Sequence, residues 1–387
     1  GHDEGTSCEP TPAKASGEKS GGRVRNHVLD LRTPRTAPDL EPHMTSQSPN
    51  SAELRDLVRT AYRLLETSPW ESLDDNHNFG VEDPESGEIA YVSVIGSGGI
   101  QRGVAVYPGV RGFETLLHTQ LDAMPQERDE ALLLIRSIGC MFDEPGELSP
   151  VDRKLLRDAG VQVRGPLAPS FVSYLPGYEP WALDAAEARL LTCVMEQALV
   201  VADEFKRDPR LIEPGLSKRY LTRVLVAGTT PLEWASVIKE RPRPRASKTE
   251  AWTPDDLTLA RLAKLPSATE AEWEVDAVAG LGVLAKNASE RPRILRMLLA
   301  ADRATGRAMQ PEPIPAPEFA QTVATAFVRA LLAEGVRPRR MLVRDPELRE
   351  LLAPIARALG CKLLKVQHLP EIDRMQESLL EFMERND

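Results

Sequence analysis

From Ser51 onward, Leu54, Leu57, Val58, Ala61, Leu64 and Leu65 recur at the spacing that lines one face of a helix, and Ser51 suits the helix start. Residues 78–109, NFGVEDPESGEIAYVSVIGSGGIQRGVAVYPG, then alternate apolar and polar positions between the turn signals Asp83-Pro84, Ser86-Gly87 and Gly96 to Gly99. That alternation predicts an antiparallel meander of about three strands. Two strand-to-helix units follow, EALLLIRSIGCMF before SPVDRKLLRDAG, and PSFVSYLPG before a long helix. The long helix opens with Asp184 and Glu187 at capping-box spacing and carries Leu190, Leu191, Val194, Ala198 and Val201 on one face. Residues 51–238 therefore read as an α+β domain.

Residues 239–256, KERPRPRASKTEAWTPDD, are rich in proline and basic side chains, lack periodicity, and read as a linker. Beyond them, in 257–387, strands are predicted at 272–279, 293–302 and 306–314, then a helix from Glu318 to Gly335. A strand at 339–345, a helix at 346–360, a strand at 361–369 and a helix from Pro370 complete the chain. Pro346 behind Asp345, and Gly335 and Gly360 just past helix ends, stand where helix boundaries favour these residues. The predicted order is β-β-β-α-β-α-β-α, an α/β domain.

That order, with the segments ADRATGR, RPRRMLVRD and ALGCKLLKVQHLP, resembles the catalytic core of ribonuclease H-like proteins, the integrase and transposase branch in particular. The resemblance covers about residues 272–387. It implies an acid on the first strand, a second ending the fourth strand and a third on the last helix, arranged around Mg²⁺ to position water for attack on phosphate. Carried over to this sequence, the three are Asp276, Asp345 and Glu381, with Glu371 and Glu377 as rivals for the third. Six acids fall in 371–387, so spacing alone singles out none of them. Asp276 lacks a following Thr or Ser, Pro346 stands where a polar residue is usual, and no Asn-Gly-x-x-Glu-like run opens the last helix. These departures point to a degenerate site. Taken whole, the chain is similar to an uncharacterised bacterial family in which one domain of unknown function precedes another, which implies no activity.

Simpler uses compete for the same residues. An Asp before Pro-Glu is a common helix N-cap, so Asp345 also reads as a cap, Asp276 as a solvated strand residue and Asp302 as a turn former. The formal charge of −10 argues against a protein that coats nucleic acid with its whole surface. Residues 291–365 nevertheless hold fourteen Arg and Lys against seven Asp and Glu. Arg337, Arg339, Arg340 and Arg344 form the densest part of that excess and are the candidate contacts for nucleic acid or an acidic protein. Base-stacking aromatics are nearly missing there, and ordinary solvated faces also carry arginine.

Other chemistry finds little support. Gly96 to Gly99 lacks the Gly-Lys-Ser/Thr ending and the following helix of a phosphate loop. The six histidines show no metal-ligand spacing, and the four cysteines include no Cys-x-x-Cys pair. Residues 1–50 are rich in Gly, Ser, Pro, Lys and Glu and read as a disordered tail or the remnant of an upstream extension. The start has no charged-then-apolar leader pattern and no apolar run approaches the roughly 20 residues a bilayer needs, so a cytoplasmic protein without a membrane partner is expected. Two functions follow. The first is a non-catalytic binding or scaffold protein with no cofactor; the alternative is a Mg²⁺-dependent nuclease or strand-transfer-like enzyme. They differ in whether the three carboxylates converge.

Overall fold

The computed structural model describes residue 1 and residues 48–99, 101–163, 165–226, 228–229, 233–243, 255–288 and 290–385. Residues 2–47 of the predicted tail at 1–50 and residues 244–254 of the predicted linker lie outside these residues. The first half contains α1 (Ser51–Thr67), β1 (Phe79–Glu82), β2 (Ile89–Ile95), β3 (Arg102–Pro108), α2 (Gly109–Gln120), α3 (Arg128–Leu132) and β4 (Ser137–Asp143). It continues with α4 (Pro150–Asp158), β5 (Ala168–Tyr174), α5 (Ala185–Arg207), β6 (Arg219–Leu225) and β7 (Trp234–Glu240). The second half contains α6 (Asp256–Ala263), β8 (Ser267–Val278), β9 (Val283–Leu284), β10 (Arg293–Asp302), β11 (Glu312–Pro315) and α7 (Phe319–Glu334). It ends with β12 (Arg337–Val343), α8 (Pro346–Leu359), β13 (Lys362–Lys365) and α9 (Pro370–Glu384).

In the first half one sheet runs β5-β4-β3-β2-β1-β6-β7, antiparallel except where β1 meets β6. Leu57, Val58, Ala61 and Leu64 of α1 and Leu191, Val194, Ala198 and Val201 of α5 pack on one face of it. On the other face α2 lays Phe113 and Leu116 against Tyr91, Tyr107 and Tyr220. The meander is as predicted, and α1 starts at Ser51 as expected, capped by Asn50, whose side chain accepts from the N–H groups of Ala52 and Glu53. Two readings change. The apolar run after Glu130 is split, with α3 ending at Leu132 and β4 starting at Ser137. Strands β6 and β7 and helix α2 carry no strong period, and the sequence pattern does not predict them.

The second sheet runs β11-β10-β8-β12-β13, with β9 pairing to β10. β10 is antiparallel to β8 and β11, whereas β12 is parallel to β8 and β13. Trp273, Val275 and Ala277 of β8 face a core built with Phe327, Leu331, Leu352 and Ile355 of α7 and α8. Val278 faces the opposite side, where Leu369 and Ile372 bring α9 onto the sheet. The predicted strand at 306–314 shortens to β11, and 361–369 shortens to β13. Nine α-helices lie in the described residues, none long and apolar enough to cross a membrane.

The two halves are stitched together. Glu179 N–H donates to the Pro292 carbonyl at 2.9 Å and Ile294 N–H to the Gly177 carbonyl at 2.9 Å. Arg291 donates from Nε to the Glu179 carbonyl at 2.7 Å and from Nη2 to the Ser173 carbonyl at 2.5 Å. Leu132 of α3 packs with Ala279 and Ile294.

Candidate functional site

Parallel strands β8 and β12 lie side by side, and of the residues predicted to act Asp276, Arg344 and Asp345 lie near their carboxyl ends. Such ends are where open α/β sheets form crevices. Alternation along β8 sends Glu274 and Asp276 to the α9 side, away from the α7/α8 core. Glu274 is wholly buried, and its Oε2 accepts the N–H groups of Glu371 at 2.8 Å and Ile372 at 3.4 Å. A carboxylate on the first N–H groups of α9 satisfies donors with no partner inside the helix and complements its positive end.

Asp276 lies two residues further on, with a side chain 5% exposed. Its Oδ2 accepts from Arg344 Nε at 2.9 Å and Nη2 at 2.6 Å. Its Oδ1 accepts the Ala277 N–H at 3.0 Å. Arg344 follows the last residue of β12 and donates its remaining Nη1 to Asp373 Oδ1, on the first turn of α9, at 2.8 Å. One guanidinium therefore joins β8, β12 and α9. Burial pushes the Asp276 carboxyl up and Arg344 draws it back down, with a net rise.

Asp345 is a helix cap, its simpler reading, and pairs with an arginine as well. Its Oδ1 accepts the Glu347 N–H at 2.8 Å as the cap of α8, and its Oδ2 accepts from Arg296 Nη2 at 2.6 Å. Arg296, on β10, also reaches Glu347 Oε2 at 2.7 Å and lays its guanidinium carbon 3.6 Å from the centre of the Phe319 ring. Cation–π contact and charge pairing both hold it in place.

Glu381 is not in this crevice. It lies on the exposed side of α9, 3.8 Å from Arg385, with a side chain 71% exposed. Of its rivals, Glu377 is exposed, while Glu371 is buried and paired to Arg374. The residue of α9 that does meet Asp276, through Arg344, is Asp373. Spacing from Asp345 does not suggest it, although its place in the first turn of the last helix is visible in the sequence.

Mg²⁺, the ion implied by the resemblance, does not fit these residues as they stand. Asp276 and Asp345 present their oxygens to guanidinium groups and backbone N–H, and no three His, Cys, Asp or Glu among the described residues are placed to hold a metal ion. The four candidate polyanion contacts also divide. Arg337 donates to the Leu359 carbonyl at 2.7 Å, Arg340 pairs with Glu272 at 2.5 Å and Arg339 is exposed, all near the start of β12. Arg344 is at its far end.

The first half reaches this crevice through α3. Asp129 Oδ2 lies 3.8 Å from where a Cβ at Gly280 would stand. Glu130 is close enough for Arg344 and Arg296 to act on its carboxyl, which partial desolvation raises. Elsewhere, burial pushes the Cys140 thiol well up, Cys193 to about 12 and Cys361 to about 11, which makes poor nucleophiles of all three.

Residues 55–223 match the family model of a domain of unknown function (DUF7309), and residues 258–380 match that of a second (DUF6930). The chain is a tandem of two domains of unknown function. Asp276, Arg296, Arg344, Asp345 and Asp373 all fall inside the second match, while α3 falls inside the first. No curated protein and no solved structure matches the chain.

Proposed function

We propose that the second domain is a ribonuclease H-type domain without catalytic function, and that the chain works as a binding or scaffold protein. Support for the fold comes from the sheet order β11-β10-β8-β12-β13, with the first strand of the domain at the centre, antiparallel to the second and parallel to the fourth. Leaving aside α6 and the two-residue β9, which the sequence reading does not include, α7 enters between β11 and β12, α8 between β12 and β13, and α9 follows the last strand.

One observation carries the non-catalytic part: the predicted acids do not converge. Glu381 points away, Asp345 is engaged by a helix cap and by Arg296, and Asp276 is held by Arg344. A two-metal phosphate chemistry needs carboxylates that share an ion, and each of these pairs with a different arginine: Arg344, Arg296 and Arg385. A cytoplasmic location belongs to the same reading, since the free thiols Cys140, Cys193 and Cys361 suit a reducing compartment. A negatively charged partner, nucleic acid or acidic protein, would be sought near the start of β12, at Arg337, Arg339 and Arg340.

The test is a thermal-shift titration of the wild-type chain with Mg²⁺ and Mn²⁺, run beside cleavage assays on DNA and RNA, single- and double-stranded. No metal-dependent shift and no cleavage are expected. A shift and cleavage that both vanish in Asp276→Asn with Asp345→Asn would replace this reading with the nuclease.

A further inference from the structure

We infer that the first domain carries a ligand site of its own, a surface cleft beside α4 that takes a small organic anion: a carboxylate or phosphate ester on an apolar body. The cleft is built from residues 145–163, none of which belongs to the strand ends of the second domain, so the inference is independent of the non-catalytic reading above.

The chain shapes this cleft locally. Pro145 and Gly146 turn the loop after β4, and the Glu147 N–H donates to the Glu144 carbonyl at 2.9 Å. Ser149 caps α4, its side chain accepting the Asp152 N–H at 3.1 Å, and Pro150 takes the first helical position. Gly160, at φ +66°, ends the helix in the left-handed conformation that favours glycine, and the Val161 N–H donates back to the Leu156 carbonyl at 3.3 Å. Residues 161–163 are thereby turned to form a wall. Between this wall, α4 and the loop lies an open cleft of about 750 Å³, within the roughly 300–1,000 Å³ of small-molecule sites.

The cleft is apolar below and basic at its edge. Leu148 and Leu156, 3% and 2% exposed, belong to the main core of the first domain and line the cleft as well. Val161 and the 41% exposed Val163 continue the apolar surface outward. Arg153 and Arg157 line the same space, four residues apart on one face of α4, a spacing at which like charges repel. Among the described residues no Asp or Glu lines the cleft, Arg153 donates to the Gly146 carbonyl at 3.1 Å, and Arg157 has no acceptor. Lys154, by contrast, is matched on the same helix by Asp158 at 2.8 Å. The end of α4 favours a cation at Arg157, but Arg153 lies toward the start, where a helix disfavours one, so the helix does not account for the pair. A ligand that satisfies both parts has a hydrocarbon body to cover Leu156 and Val163 and an anionic head to accept from the planar guanidinium of Arg157.

The experiment titrates the full-length chain with octanoate and with octyl phosphate, and with acetate and octanol as the head and the body alone. Calorimetry reads the binding and amide chemical shifts locate it. One octanoate or octyl phosphate per chain is expected, shifting the amides of Leu156 and Gly160 to Val163, at least about tenfold more tightly than acetate or octanol. The tighter of the two probes identifies the head group. Arg157→Gln should weaken that binding by about tenfold or more, Arg157→Lys by less, and Lys154→Gln not at all. Val163→Trp, which fills the cleft from its exposed wall, should abolish the binding with Arg157 still in place. The inference is overturned if neither probe saturates, if octanol binds as tightly as both, or if folded Arg157→Gln and Val163→Trp bind like the wild type. Should Arg157→Gln lose the wild-type circular dichroism spectrum, Val163→Trp decides between the same two results.

Discussion

Asp276 is a carboxylate that burial disfavours and one arginine compensates, and that balance predicts how each partner responds to removal. Arg344→Met leaves the carboxylate buried and unpaired, which costs about 2 kcal/mol, less than for a fully buried pair because water reaches Arg344. Adding Asp276→Asn should recover most of that loss in urea denaturation, since it removes the orphaned charge; a double variant no more stable than Arg344→Met would show that the pair does not couple. The raised Asp276 carboxyl also sets a pH dependence. The folded chain holds that proton more tightly than the unfolded chain, so the group's stabilising contribution is complete below the unfolded value of about 3.9 and is lost as pH rises through the higher folded value. Relative to wild type, Asp276→Asn should therefore gain stability as pH rises from about 3.9 through the raised folded value. A difference that stays flat or falls across that window would mean Arg344 outweighs burial. At this scale the sequence singles out Asp276 and Asp345, but their arginine partners lie 68 and 49 positions away in the chain, beyond any local pattern.

Among the elements, those with a strong period or a cap are legible and those held by tertiary contact are not. α5 opens at Asp184 with the expected capping box, its N–H of Glu187 donating to Asp184 at 2.8 Å. Asp184→Ala should cost about 1 kcal/mol, measured as a shift in denaturation midpoint. Helix α2 is different. Its sequence does not announce it, because GVRGFETLLHTQ has two glycines and no cap side chain, and its place depends on how close it comes to the strand before it. A Cβ at Gly112 would lie 2.3 Å from the Tyr107 carbonyl carbon, closer than any real contact. Gly112→Ala must push α2 off Tyr91, Tyr107 and Tyr220, at about 2–3 kcal/mol and with a changed near-UV tyrosine signal. Gly98→Ala, in open space in the β2–β3 turn, serves as the comparison and should change neither. An unaltered Gly112→Ala would mean the helix does not sit as tightly as described.

For the whole molecule the deciding feature is the seam between the halves, where Arg291 of the second inserts its guanidinium among the carbonyls of Ser173 and Glu179 of the first. Arg291→Ala removes these bonds across the seam, leaving the Ser173 carbonyl to the Trp181 N–H alone, so the two halves should separate into two calorimetric transitions where the wild type melts in one. Two transitions already in the wild type would show that the seam does not couple them. By itself the sequence determined that the chain is mixed α/β and the order of the second half's elements apart from α6 and β9, because periodicity and capping are local and act wherever the chain goes. Only the tertiary structure decided that β6 pairs in parallel beside β1, that α3 of the first unit lies against the strand ends of the second, and that Asp373, not Glu381, faces Asp276. Each of these depends on which surfaces meet after folding. A guanidinium finds its carboxylate through space, and the spacing of charges along the chain does not reveal where that meeting occurs.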